Sequence, residues 1–269
     1  MIFRCVILLL ATWALAACES VQTTERGTVG VERTQRMMIS ADQINAAAAQ
    51  SYQQTMEEAA GKGLLNRDVN QLNRVRAVAN RLIPAAGVFR ADSLKWRWEV
   101  NVIASKEVNA WCMPGGKIAV YTGLMDALQL TDAELAAVMG HEIAHALREH
   151  GREKASQQAA QNAVIGVGAA LLGVGEGIAS LASVAAQVTY GLPNSREFER
   201  EADHIGIELA ARAGYDPNAA ISLWQKMARV SGGSGPAFLS THPTAADRMT
   251  DLQKYAQAVM PLYQASQRR

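Results

Sequence analysis

Cysteine is scarce: three thiols in 269 residues, Cys5, Cys18 and Cys112. Two of them fall in the first eighteen residues, so a chain shortened to Cys18 keeps Cys112 as its one unmodified thiol. That excludes an intramolecular disulfide framework, even in an oxidising compartment. Charge of one sign is equally lacking, with 26 basic against 25 acidic side chains and a net charge of +1. Nothing therefore points to nucleic acid or to a strongly acidic partner. The length suits one domain with appendages and allows a sizeable buried core.

The N-terminus has the layout of a targeting segment: Arg4, an apolar run over residues 6–15, then small residues before Cys18. Leu15-Ala16-Ala17-Cys18 resembles the lipobox of bacterial lipoproteins, in which the signal (here residues 1–17) is cut off and the Cys carries the lipid. An ordinary secretory signal or an uncleaved anchor is the alternative. Glu19 rather than Asp follows Cys18, which by resemblance to Gram-negative lipoproteins favours the periplasmic side of the outer membrane. Residues 18–40, polar and without a period, read as a tether, ahead of a domain over residues 41–260 and a polar tail at 261–269.

Thr131 to His150 is the richest stretch in chemistry. Thr131 with Glu134 forms a capping box, and Leu135, Val138, Met139, Ile143, Ala146 and Leu147 follow at helical spacing. His141 and His145, four apart, share one side of that helix. Glu142 lies between them. H-E-x-x-H is the pattern of two imidazoles gripping one Zn2+ beside a carboxylate that takes a proton from water. On a largely apolar helix, two histidines and a glutamate are costly to bury without such a partner. Gly140, a poor helix former, leaves room for a close approach.

Before this stretch, the pattern predicts helices over 42–60 and 66–83, separated by Gly61-Lys62-Gly63 and stopped by Pro84. A period of two predicts strands over 94–103, 108–113 and 117–121, the last two broken by Pro114-Gly115-Gly116. Trp96 and Trp98 read as core. Asn109-Ala110-Trp111, beside the His-bearing helix, is a candidate for pairing with an extended substrate backbone. Residues 163–187 are apolar and rich in Ala and Gly, long enough to span a bilayer. Their five glycines and Glu176 favour two short helices or a flap.

Asn194 with Glu197 predicts a helix start, running to Ala213 with Gly214 past its end. On it Glu199 and Asp203 share a face, while Glu201 points elsewhere. The charge run reads either as a salt-bridged surface or, since two histidines leave a zinc site short of a third protein ligand, as the place where Glu199 can supply it, with Asp203 able to hold a ligand histidine by its other N–H. Asp216-Pro217 opens another helix, residues 231–236 read as a flexible loop, and Ser240 to Arg248 as the start of the last helix.

H-E-I-A-H, N-S-R-E-F-E-R-E-A-D and T-H-P-T-A-A-D-R, in this order, resemble the HtpX and CAAX-prenyl-protease type of zinc metallopeptidase, a gluzincin. N-A-W-C-M-P-G-G-K-I-A-V-Y-T-G-L resembles its edge strand. The resemblance covers roughly residues 65–255 and is nearest to soluble bacterial lipoprotein and mitochondrial quality-control relatives. It implies a mainly helical α+β, zincin-like fold with a small sheet beside the H-E-x-x-H helix. It also implies one Zn2+ on His141, His145 and Glu199, with Glu142 as base, Asp203 behind the ligands, and His242 and Arg248 close to the metal. His242 is then an oxyanion stabiliser or a removable fourth ligand. Misfolded or misassembled envelope proteins are the implied substrates. A chaperone-like assembly factor with minor or suppressed proteolysis is the competing reading.

Overall fold

The computed structural model describes residues 19–164, 177–230, 237–243 and 247–268. Cys18, Glu176 and the 231–236 loop lie outside them. Three strands, β3 (Glu99–Ile103), β4 (Ala110–Met113) and β5 (Lys117–Tyr121), form a sheet in the order β3-β5-β4. β5 runs parallel to β3 and antiparallel to β4, so β4 is an edge. Alternation divides its side chains between two cores. Val102, Ala110, Cys112, Ile118 and Val120 face the larger one, and Ile103, Trp111, Met113 and Ala119 the smaller. Trp96, Trp98 and Val100 pack against the larger core as expected. The expected strand at 94–103 nevertheless starts late, because a 3-10 turn over Ala91–Lys95 takes up its first residues.

Helices supply the rest, which makes the fold α+β and mainly helical. α1 (Ala41–Gly61) is capped by Ser40 and Gln43. α2 (Val69–Ala86) is capped by Asp68 and continues past Pro84 to Ala86. Proline removes one hydrogen bond in that last turn without ending the helix. After α3 (Thr122–Leu128), Thr131 and Glu134 form the expected capping box of α4 (Asp132–Leu147). α4 is buried on nearly every side. α5 (His150–Val164) and α6 (Gly177–Ala186) follow. Ala185 and the partly buried Leu181 and Val184 pack in the smaller core with Ile44, Ala48 and Tyr52 of α1. Among the described residues no helix is long and apolar enough to cross a membrane.

α7 (Arg196–Arg212) starts one residue later than expected. Ser195 caps it by accepting from the Phe198 N–H, which frees the Asn194 side chain for another task. α8 (Ala219–Val230), α9 (Ala237–Thr241) and α10 (Arg248–Ser266) complete the chain. α10 passes through Pro261 into the segment expected to be a tail, and Gln267 still reaches the Gly214 carbonyl.

Residues 19–40 are not a free tether. β1 (Glu19–Val21) pairs antiparallel with β2 (Gln35–Met37), and Val29, Val31, Gln35 and Met37 are buried. The Glu208 carboxylate of α7 accepts the Thr28 and Val29 N–H groups at 2.8 and 2.9 Å. The segment is a strap laid along the domain; Thr28, Val29, Arg33 and Gln35 are tied to charged partners there.

α4 and α7 cross at two glycines. A Cβ on Gly206 would sit 2.7 Å from the His141 nitrogen, and one on Gly140 2.8 Å from the Gly206 carbonyl oxygen. The room predicted beside Gly140 is filled by the backbone of α7. Gly206→Ala should therefore cost roughly 1–3 kcal/mol of stability by overpacking, read as a lowered midpoint of thermal unfolding. An unchanged midpoint would refute the backbone crossing.

Candidate metal centre

The glycine crossing sets α7 against the face of α4 that carries His141 and His145, and Glu199 projects between them. His242, just after α9, enters from the other side. One ligand atom from each of these four buried residues lies within 4.8 Å of the others. His141 Nε2 is 3.1 Å from both His145 Nε2 and His242 Nδ1. Glu199 Oε1 is 2.9 Å from His242 Nδ1 and 3.3 Å from His145 Nε2, and Glu199 Oε2 is 3.4 Å from His141 Nε2. Ligands at zinc distances of 2.0–2.1 Å in a tetrahedron stand about 3.3–3.4 Å apart. The donor set fits a zinc ion.

Electrostatics agree with this. Burial acts to raise Glu199, yet His242 and His141 outweigh it and hold this carboxyl well below its usual range. Burial acts to lower His141, yet the charges of Glu199 and Asp203 bring it up to about 10. The cluster thus recruits positive charge into a buried place, which a divalent cation supplies without a proton. Glu199 Oε2 and Glu142 Oε1 are buried there without a hydrogen-bond partner, a costly state unless another group meets them. Burial, the first of several influences, raises the Glu142 pKa.

The surrounding residues fix the ligands. Asp203 Oδ1 accepts from His141 Nδ1 at 3.0 Å, which leaves the lone pair on Nε2. Arg248 Nη2 donates to the same oxygen at 2.7 Å and stacks its guanidinium 3.3 Å above the Trp224 ring. Glu199 is held from behind by Asn194 Nδ2 at 2.9 Å, and Asn194 Oδ1 accepts from Lys154 Nζ at 2.7 Å. His145 Nδ1 lies 2.8 Å from His150 Nδ1, and His150 Nε2 2.9 Å from Glu201 Oε2.

All seven residues predicted around the metal converge: His141, Glu142, His145, Glu199, Asp203, His242 and Arg248. Asn194, Lys154, His150 and Glu201 were not predicted. Asn194 resembled a cap, and Glu201 does point away from Glu199, as expected, but toward His150. Asn109, Ala110 and Trp111 lie at the edge strand, though not as a free edge. The Ala110 N–H is accepted by the Asn109 side chain, and the Trp111 ring is packed against Tyr52 and Tyr190. Since Asn109 pairs with Tyr121 of β5, alternation turns the peptide groups of Ala110 and Cys112 outward. A narrow cleft opens beside Cys112, Glu142, His145 and His242, bounded also by Val188 and Thr189.

Residues 69–256 match the profile of a family described as Peptidase family M48. The chain is 33% identical over 221 residues to the mitochondrial metalloendopeptidase OMA1 of Schizosaccharomyces pombe, covering 81% of this chain and 62% of that protein. It is 38% identical over 151 residues to the OMA1 of Arabidopsis thaliana, covering 56% of this chain and 30% of that protein. With the beta-barrel assembly-enhancing protease of Escherichia coli (strain K12) it shares 30% identity over 185 residues, 65% of this chain and 38% of the other. It thus spans less than two thirds of the length of each of these curated relatives. Their names are those of OMA1 and the assembly-enhancing protease, not the HtpX or CAAX prenyl protease that the motifs suggested.

Equilibrium dialysis against zinc should load one ion per chain. With free zinc at about a thousand times its dissociation constant, the folded state should gain about 4 kcal/mol. Glu199→Ala should lose both effects. Uptake by that variant equal to the unaltered chain would remove Glu199 from the ligand set.

Proposed function

The chain belongs to peptidase family M48, and we propose that it is a zinc metalloendopeptidase acting on misfolded or misassembled cell-envelope proteins. One observation carries the reading. His141, His145 and Glu199 aim ligand atoms at one buried point, and Glu142 places an unpartnered carboxylate oxygen beside it.

His141, His145 and Glu199 would hold a zinc ion, which when bound would supply polarisation of a peptide carbonyl and a more acidic water. Glu142 is the base: its raised pKa suits a group that takes a proton from water and returns it to the leaving amine. Asp203 keeps the lone pair of His141 on the metal side, and Asn194 fixes the rotamer of Glu199. Substrate lies extended beside β4, paired through the outward Ala110 carbonyl and the Cys112 peptide groups within the Asn109–Cys112 segment, the Ala110 N–H being held by Asn109. His242 is a removable fourth ligand that closes the site. The 2.9 and 3.1 Å approaches of its Nδ1 to Glu199 and His141 support that role over oxyanion binding.

Substrate class and location rest on other grounds. The lipobox-like Leu15-Ala16-Ala17-Cys18, followed by Glu19, supports a lipid anchor at the periplasmic side of the outer membrane. The assembly-enhancing protease among the relatives supports envelope quality control, while the OMA1 relatives carry mitochondrial names. Within the family, we infer a soluble bacterial lipoprotein branch for this chain. A chaperone-like assembly factor is the second reading, favoured by the closed fourth corner at His242.

Glu142→Gln should keep its zinc and lose casein cleavage by roughly 10²- to 10⁴-fold, the usual worth of a positioned acid–base group. If cleavage persists, Glu142 is not the base. Suppression of envelope-protein aggregation by this variant as strong as by the unaltered chain would favour the chaperone reading. His242→Ala should cleave casein faster than the unaltered chain; slower cleavage would assign His242 to oxyanion binding instead.

A further inference from the structure

We propose that His150 and Glu201 position the metal ligand His145, and that the N-terminal strap holds this pair in place through Arg33. The inference rests on the metal-centre reading above and assigns work to residues outside it. The hydrogen positions along this network are forced. An ionised carboxylate only accepts, so the 2.9 Å contact of Glu201 Oε2 places a hydrogen on His150 Nε2. His150 Nδ1 is then a lone pair. The 2.8 Å contact between the two Nδ1 atoms needs one hydrogen, which must come from His145. His145 Nε2 is left bare and aimed at the ligand cluster, the only form in which it binds a cation.

A doubly protonated His150 would reverse this relay, and its surroundings oppose that form. The ring is buried and lies flat on Phe198, with centroids 4.4 Å apart and planes at 6°. Glu201 is already paired with two guanidinium groups, Arg33 Nε at 2.7 Å and Arg148 Nε at 3.0 Å. Its charge is met without a cation at His150.

The strap meets this pair at Glu201 and at the neighbouring Arg148. Arg33 forks between Glu201 and Glu153, with Nη1 2.7 Å from Glu153 Oε1. Its carbonyl accepts from Arg148 Nη2 at 2.9 Å, and Gln35 Nε2 donates to the Arg148 carbonyl at 2.7 Å. The strap is therefore three hydrogen bonds, one carboxylate and one imidazole away from a metal ligand.

The test measures zinc affinity of the full chain by competition with a chromophoric chelator, and the visible spectrum of the cobalt(II) form. His150→Ala should weaken zinc binding by about 10- to 100-fold, the usual effect of losing such a partner. His150→Asn, whose side-chain oxygen can accept from His145 Nδ1, should recover most of that loss and the parent cobalt spectrum. Arg33→Ala, at the periphery, should weaken binding in the same direction by a smaller factor. A merely structural role would lower the unfolding midpoint of the metal-free variants alike and give Asn no advantage over Ala. Zinc binding by His150→Ala as tight as in the unaltered chain overturns the inference, as does equal binding by the Ala and Asn variants. Absence of zinc binding in the unaltered chain would instead overturn the metal-centre reading on which it stands.

Discussion

The contact of two backbones at Gly140 and Gly206 is the constraint on which the rest of the structure depends. A glutamate side chain is short, and Glu199 reaches between two histidines of another helix only if the helix axes come unusually close. Any side chain at the crossing would push α7 outward and draw the third ligand away from the first two. Both glycines lie inside helices, where each costs up to about 1 kcal/mol against alanine. Burial of α4 on nearly every side, and of Ala202, Ile205 and Leu209 on α7, offsets that cost. The site is thus fixed by packing before any polar group acts.

That packing forces ionisable groups into the interior. Glu142, Glu199, Glu201, Asp203 and Glu208 are all buried, as are Arg148 and Arg248. Buried charges left unpaired cost several kcal/mol, and the pairing follows a clear division. Glu201 and Glu208 are met by protein cations and backbone N–H groups, largely from the strap and α7. Asp203 is met by Arg248 and His141. Glu142 Oε1 and Glu199 Oε2 face the ligand cluster with no hydrogen-bond partner. The two carboxylate oxygens left without a hydrogen bond are thus those beside the candidate metal position.

Legibility in the sequence followed the range of the signals. The capping box at Thr131, the four-residue spacing of the histidines and the 199/203 pair are local patterns, and helix geometry turned them into a shared face. The strands at 110–113 and 117–121 were equally local. The strap was not legible, because a polar, aperiodic segment looks the same whether water or a distant glutamate solvates it; Thr28 meets Glu208 across 180 positions. Pro84 misled for the opposite reason. A helix tolerates proline in or near its last turns when little backbone beyond it needs the lost hydrogen bond.

His150 shows why the outer layer of the site was hidden. In one unbroken helix, a residue five places after His145 would stand about 140° around the axis from it, facing another way. The chain avoids this by ending α4 at Leu147 and placing Glu149 in the left-handed region, with φ of 51°. That conformation is uncommon for a residue with a side chain, and Arg90 and Arg152 pair with the Glu149 carboxylate at 2.6 and 2.7 Å. The turn restarts the helix at His150 and brings its ring back beneath His145. No periodicity in the sequence encodes that return, since the break itself creates it. Strain at one glutamate, held by two arginines, thus sets the direction from which His150 meets His145.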